Sequence, residues 1–391
     1  MSPGRTLLFR PGLYCPLRGE MGYNGTEKAF EEKKMRRFMT GLLGIIGLIV
    51  VAFGLFILWL HVTEYDPAPR EELLVKSIAL EKMEMEKDIT ILSFNIGYGA
   101  LSKDMDFVMD GGKMSYPESS QIVYQNMEGV KEALTSIQPD VFMIQEIDRD
   151  SKRSYHMDQV AYLEEALELP GVYAANFRCR YVPFPIPRML GKIESGLAVF
   201  HGYTVENADR VALPVPFQWP VRLAQLKRCL LVEYIPIEGT DKKLVLMNLH
   251  LEAYDDGGGR AAQTADLARL MEDEYNKGNY VIAGGDWNQT FPGSDLTRYP
   301  LVDTETFRAG EIDETLWDQW EFHYDESVPT SRLLNQPYQP EHPKTQYYVI
   351  DGFATSPNVQ VEEILTIDQE FQFSDHNPVW IRIRLLNDEK V

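Results

Sequence analysis

From Phe38 to Val62 the chain runs 25 residues without a Lys, Arg, Asp or Glu and is rich in Leu, Ile, Val, Phe and Gly. A helix of about 20 apolar residues spans the hydrocarbon core of a bilayer, so this run is expected to be a transmembrane helix with some tilt. Trp59 near its far end suits the interfacial aromatic belt. Lys33, Lys34, Arg36 and Arg37 precede the run, and Glu64 and Asp66 come after it. The positive-inside rule then puts the N-terminus in the cytoplasm and everything after residue 62 outside. A cleaved signal peptide is the competing reading. The run exceeds a typical h-region and no small-x-small cleavage site comes after it, which favours an uncleaved signal anchor in a single-pass protein of the cell membrane. Cys15 has no apolar run before it, which argues against lipid attachment there.

The span divides the chain unequally. Residues 1–37 are turn-rich, with Pro3, Gly4, Pro11, Pro16 and Gly19 in the first half, and are expected to be a disordered cytoplasmic tail. Met21 and Met35 are alternative starts. Residues 63–87 read as a linker that could reach on the order of 80 Å when extended, leaving the large C-terminal region near the membrane but not fixed to it. Residues 88–386 alternate apolar strands with amphipathic helices and show no composition break, so one large α/β domain is expected. Of the 38 Lys/Arg and 59 Asp/Glu in the chain, residues 63–391 hold 30 and 55, a net of −25. Such a surface repels the backbone of duplex DNA and counts against it as a partner. Nothing calls for a second copy, and a monomer is expected. Three cysteines are too few for a disulfide scaffold. Cys179 and Cys229 either pair with each other or are two buried free thiols.

Within the large domain the strands share one habit. Ile89 to Asn95, Val141 to Glu146, Leu244 to Leu251 and Tyr280 to Asp286 are apolar runs that carry a polar residue at or near the end. Tyr347 to Asp351 does the same, and Ser374-Asp375-His376-Asn377-Pro378 precedes the alternating strand Val379 to Arg384. Further strands are expected at 197–200 and 229–234, and helices at 118–137, 156–168 and 260–275. Residues 303–346 are irregular, acidic and aromatic. In Gly284-Gly285-Asp286-Trp287-Asn288-Gln289 two glycines permit a sharp turn, and a carboxylate and an amide two residues apart leave on the same side. Such a pair can orient a water and stabilise an oxyanion, the two needs of phosphate ester hydrolysis. An ordinary Asx turn uses the same residues. Asn95, Glu146, His250, Asp286, Asn288, Asp351, Asp375 and His376 together are too many strand-end polar groups for turns alone, because each is costly there unless paired, metal-bound or in a cleft.

In the order Ser93-Phe94-Asn95, Gln145-Glu146, Asn248-Leu249-His250, Gly285-Asp286-Trp287-Asn288, Ile350-Asp351 and Ser374-Asp375-His376-Asn377-Pro378, the chain resembles the endonuclease/exonuclease/phosphatase superfamily of metal-dependent phosphoesterases. The resemblance covers roughly residues 88–385. It implies a four-layer α/β sandwich, two mixed β-sheets face to face with helices outside, and a site at one end. It implies Mg²⁺, with Mn²⁺ as an alternative, held by Glu146 with Asn95 beside it and Asp375 completing the metal side. Asp286 would orient or deprotonate the attacking water, and Asn288 would bond the transition state. His376 would contact the phosphoryl oxygens, oriented by Asp351. His250 would protonate the leaving group or contact phosphate, with Glu194 as a weaker candidate for its carboxylate partner.

Substrate choice is less legible. Phe177 to Pro187 and Val211 to Arg222 are aromatic and proline-rich, and with Arg178 and Arg180 they read either as loop packing or as a rim around the site. The insertion at 100–117 and the segment 303–346 could shape the same rim. The leading expectation is a membrane-anchored phosphoesterase outside the cytoplasm, acting on a lipid or small-molecule phosphate ester. An extracellular nuclease and a catalytically inactive binding module of the same fold are the alternatives; the acidic charge opposes the first, and the complete residue set opposes the second. Protease added to intact cells should remove the domain beyond residue 62, and its protection would overturn this topology.

Overall fold

The computed structural model describes residues 23–76, 81–255, 257–302 and 306–387. The expectations for residues 1–22, Cys15 among them, lie outside the described residues. The described chain falls into two compact units, Met1–Trp59 and Leu60–Val391.

The described residues of the first unit are helical. Helix α1 runs Tyr23–Val62, and its residues 28–62 are long and apolar enough to cross a membrane. It begins earlier than the expected boundary at Phe38, because residues 28–37 are mostly Glu, Lys, Arg and Met, which favour helix and extend one already nucleated.

The second unit holds the strands and three further helices. The strands are β1 (Arg70–Glu72), β2 (Asp88–Asn95), β3 (Val141–Asp148), β4 (Gly171–Val182), β5 (Gly191–His201), β6 (Asn207–Ala212), β7 (Cys229–Pro236), β8 (Lys243–His250) and β9 (Tyr280–Asp286). They continue as β10 (Gln289–Thr290), β11 (Gly310–Glu311), β12 (Glu321–His323), β13 (Ser331–Arg332), β14 (Tyr347–Tyr348), β15 (Asp351–Thr355), β16 (Val359–Thr366) and β17 (Val379–Leu385). Helices α2 (Ser120–Ile137), α3 (Gln159–Leu167) and α4 (Gly258–Tyr275) match the expected positions closely.

Two mixed sheets dominate. A seven-stranded sheet has the order β1-β6-β7-β8-β9-β15-β12, and a six-stranded sheet the order β16-β17-β2-β3-β5-β4. Each contains one parallel pair, β8 with β9 and β2 with β3. Ile91, Met143, Val199, Leu231, Leu246, Ile282 and Phe353 fill the space between the sheets. Outside the six-stranded sheet, Leu92 and Phe142 pack on Val130 and Leu134 of α2 and Leu163 of α3. Outside the seven-stranded sheet, Val245 and Val281 pack with Leu267 and Met271 of α4, and Trp287 closes that layer against Phe291 and Trp317. With both faces covered, the central strands read as near-continuous apolar runs, the signature seen in the sequence. The expected four-layer sandwich is the fold observed. Strands β4, β6 and β16, absent from the sequence reading, lie toward the sheet margins, where mixed polar composition hides the pattern.

The segment 63–76, expected to be part of a free linker, is packed onto this unit. Arg70, Glu71 and Glu72 form the edge strand β1, antiparallel to β6. Arg70 donates to Asp209 at 2.8 Å and to the Tyr234 hydroxyl at 2.8 Å. Glu64 accepts from Lys227 at 2.9 Å. Pro67 and Pro69 suggested a loose tether; the long-range ion pairs that override that reading join residues about 160 positions apart. Cys179 and Cys229 are buried free thiols.

The glycine pair before Asp286 is required by close approach of neighbouring strands. Gly285 has φ of +144°, and a Cβ there would lie 2.0 Å from the carbonyl oxygen of Leu249, its register partner on β8. Gly285→Ala should therefore destabilise the domain by about 2 kcal/mol or more and lower its thermal midpoint by about 4 °C or more. A midpoint equal to wild type would contradict the packing described.

Candidate active site

Strand direction gathers the polar ends. β2 and β3 run parallel and deliver Asn95 and Glu146 to one end of their sheet; β8 and β9 do the same for His250 and Asp286, which are register partners. β15 runs antiparallel to β9 and starts at that end, so Asp351 sits opposite Asp286. β17 runs antiparallel to β2, so Asp375 and His376 precede it at the same end. All eight residues singled out from sequence thus meet at one end of the sandwich.

Two of them leave regular strand geometry. Glu146 has φ of +52° and lies in a bulge where the β3–β5 register shifts between Ile144 and Ile147. The bulge breaks the pleat and re-aims the side chain, of which 25% remains exposed. Asn288 has φ of +51°. Its carbonyl accepts from the buried Arg260 of α4 at 2.6 Å, and its amide nitrogen donates to the Leu251 carbonyl at 2.9 Å. Left-handed backbone at residues that carry a β-carbon is sparsely populated and persists only where the surroundings over-determine it.

The side chains form one network. His376 Nδ1 lies 2.8 Å from Asp351 Oδ2, and its Nε2 lies 3.6 Å from Asp286 Oδ2. Asn95 donates to Asp286 Oδ2 at 3.1 Å across the two sheets, and the Asn288 backbone N–H donates to Asp286 Oδ1 at 2.9 Å. His250 Nε2 is 3.4 Å from Asp286 Oδ2, and its Nδ1 is 3.8 Å from Glu146 Oε1. Ser374 donates to the Asn95 carbonyl at 2.7 Å and ties Asp375 to the end of β2. The Asp351–His376 pairing expected from sequence is present. Glu194 bonds Arg178 at 2.6 Å instead of His250, because β4 and β5 pair those two positions directly.

Burial sets the charge states. Desolvation pushes the Asp286 carboxyl up to about 7 and Asp375 up to about 6, and raises Glu146 as well despite the nearby Arg153 and His376 cations. Burial would lower His376, but the Asp351 and Asp286 carboxylates outweigh it and hold the imidazolium well above its ordinary range. His250 goes the other way, well below its ordinary range, from burial and from the Arg228, His376 and Arg153 cations. One histidine is therefore charged and the other neutral. Asp286, Asp351 and His376 bring ligand-type atoms within 4.8 Å of one another. The 2.8 Å Asp351–His376 bond already occupies that set, so it is a carboxylate–imidazole pair facing a second carboxylate. Glu146 Oε2, by contrast, is buried with no hydrogen-bond partner.

Residues the sequence reading did not assign support the network. Arg153 donates to both Asp148 oxygens, at 3.1 and 2.9 Å, and its guanidinium lies 3.5 Å over the Tyr98 ring. Arg228 donates to the His250 carbonyl at 3.0 Å and to Glu252 at 3.2 Å. Gln145 donates to Asn248 at 2.7 Å, and Asn248 donates to the Ile144 and Ala198 carbonyls, a buried polar bridge between the sheets just beneath the site. Their signal was a polar residue inside an apolar run for Gln145 and Asn248; Arg153 sits in a 3-10 turn and Arg228 in a loop, and neither gave one.

Asp286→Ala and His376→Ala should each lower kcat by about 100-fold or more if these groups act in the chemical step. His250→Ala should spare a p-nitrophenol ester and impair an alkoxide ester if His250 serves the leaving group; equal losses on both would leave it as a phosphate contact. Unchanged turnover in the first two variants would remove Asp286 and His376 from the reaction.

The sequence profile of the Endonuclease/Exonuclease/phosphatase family matches residues 92–376. Among solved structures, the chain is similar to an endonuclease/exonuclease/phosphatase from Beutenbergia cavernae DSM 12333, with 18% identity, coverage of 77% of this chain and 72% of that one, and a TM-score of 0.53. It is also similar to ANGEL2, described as a 2',3'-cyclic phosphatase in complex with adenosine-2',3'-vanadate, with 15% identity, coverage of 80% and 99%, and a TM-score of 0.50. At these identities the likeness is one of fold. No curated protein sequence matches the chain.

Proposed function

The chain belongs to the endonuclease/exonuclease/phosphatase family, and from that premise we propose that it is a monomeric, Mg²⁺-dependent hydrolase of phosphate esters, anchored by residues 38–62 with its catalytic unit outside the cytoplasm. The observation that carries the reading is the convergence of four carboxylates with one charged and one neutral imidazole at a single sandwich end.

The donor chemistry fits a hard divalent cation. Glu146 Oε2 is buried and unpartnered, Asp375 is raised by burial with Glu146 adding to the shift, and among the described residues no thiolate is nearby to favour a softer metal. Glu146 and Asp375 would hold the ion, with Asn95 beside them; when bound, it supplies Lewis-acid neutralisation of phosphoryl charge. The chain's own groups do the rest. Asp286 at about 7 is matched to accept a proton from water near neutral pH. The His376 imidazolium, held by Asp351, presents Nε2 to phosphoryl oxygens. Asn288 spends one amide hydrogen on the Leu251 carbonyl and keeps the second for a developing oxyanion. His250, neutral in the free protein, would take up a proton from water once the substrate's negative charge lies beside it and pass that proton to the leaving oxygen.

The net charge of −25 over residues 63–391 favours a lipid or small-molecule ester over duplex DNA. The test is a screen of the purified full-length protein against phospholipids, nucleic acids and sugar phosphates. Chelation should abolish hydrolysis, and Mg²⁺ or Mn²⁺ should restore it. Full activity in excess chelator would overturn metal dependence, and turnover confined to nucleic acid would make the protein a nuclease.

A further inference from the structure

We propose that the active-site end of the catalytic unit is strapped against the membrane, with the loops 183–190 and 213–228 forming a lipid-contacting rim; this rests on the reading of residues 38–62 as a membrane span. The argument lies in where the chain enters the unit. Leu60 is buried, and Glu64, two residues beyond the end of the apolar run, is held by Lys227 at 2.9 Å and by Arg222 Nε at 3.3 Å. Tyr65 lies between the Arg178 and Arg210 guanidiniums, 5.2 and 5.6 Å from its ring centre, and its hydroxyl donates to the Ala175 carbonyl. Arg70 then pairs with Val211 in register and with Asp209 through its side chain.

Strand direction says which end this is. β6 pairs antiparallel with β7, Ala212 opposite Cys229, and β7 with β8, Leu231 opposite Asn248. The loop between β6 and β7 therefore lies at the end that carries His250, and Arg228 closing that loop donates to the His250 carbonyl itself. The same loop supplies Arg222 and Lys227 to Glu64. Two residues span at most about 7 Å, so the end of the apolar run lies close to this loop whatever the course of the helix before it.

The side chains there suit a bilayer interface. Trp219 and Val221 flank the Glu64-binding arginine and are each 57% exposed. Ile186 and Phe184, on the β4–β5 loop at the same end, are 81% and 49% exposed. The loops 183–190 and 213–228 contain four Lys/Arg and no Asp or Glu, within a domain of net charge −25. All four have acidic partners, so the rim is not strongly basic, but no carboxylate of its own repels a phosphate headgroup. Tryptophan and aliphatic side chains with flanking Arg are the composition of a membrane–water interface. A site opening beside such a rim meets phosphate esters at headgroup level.

The test reads depth, not activity. Full-length protein with Cys15→Ser is labelled with an environment-sensitive fluorophore at Ile186→Cys, or at Asp241→Cys in the β7–β8 turn of the opposite end, and placed in nanodiscs of phosphatidylcholine and phosphatidylglycerol. Doxyl groups on the acyl chains should quench the label at 186 at least threefold more than the label at 241. Combined Glu64→Ala and Arg70→Ala should reduce the quenching at 186 to the level at 241. Equal or absent quenching at the two positions would overturn the rim, and unchanged quenching in the double variant would overturn the strap. Failure to enter nanodiscs at all would overturn the anchor and this inference together. None of these outcomes depends on turnover, so each is distinguishable from failure of the phosphoesterase reading.

Discussion

Four carboxylates, Glu146, Asp286, Asp351 and Asp375, share one desolvated end of the sandwich, and most of the surrounding architecture compensates for that. Taking carboxylates out of water is expensive, and like charges close together make it worse. The compensation is explicit: the His376 imidazolium between Asp351 and Asp286, Asn95 and the Asn288 N–H on Asp286, and Arg153 bound to Asp148 beneath Glu146. Glu146 Oε2 is left without a partner, and Asp286 and Asp375 remain raised. Residual destabilisation of that kind is the expected mark of a site kept for chemistry rather than stability.

The same end also determines how the two sheets are joined. Asn95 reaches Asp286 across the gap, and one layer below it Gln145 and Asn248 bridge the sheets with fully used hydrogen bonds. A satisfied buried polar bridge of this kind specifies a relative position that apolar packing alone would leave free to slide. Placement of the strand-end side chains of the candidate site and registration of the sheets are therefore one constraint. The attachment of Glu64 to the β6–β7 loop, Tyr65 to β4 and Arg70 to β6 adds the chain's path into the unit to that constraint.

Much of this was legible. The apolar runs of β2, β3, β8 and β9 stood out because both faces of those strands are covered, β17 by its alternation, and the terminal Asn95, Glu146, His250 and Asp286 stood out because polar groups are costly there. All eight residues converge as the pattern required. Of the conditions named for such groups, Asp286 and His376 meet the first, buried and paired with Asn95 and Asp351, whereas His250 Nδ1 is buried without a hydrogen-bond partner. Glu194 was offered to His250 only as a weaker match implied by the resemblance, and β4 pairing gave it to Arg178. Residues 63–76 looked like a tether because Pro67, Pro69 and a charged run carry no periodicity; their order comes from partners far along the chain.

The sequence by itself determined which strands are buried, where a bilayer-length helix lies, and which side chains end the strands, because periodicity, hydropathy and desolvation cost are local properties of the chain. Tertiary structure alone decided that Glu146 turns out of its strand in a bulge, that His376 is charged while His250 is neutral, and that Arg153 and Arg228 stand behind them. It also decided that Glu64 docks on the β6–β7 loop, whose Arg228 reaches the His250 carbonyl. Those outcomes depend on distances between groups that strand order brings together, and no local feature of a chain encodes a distance of that kind.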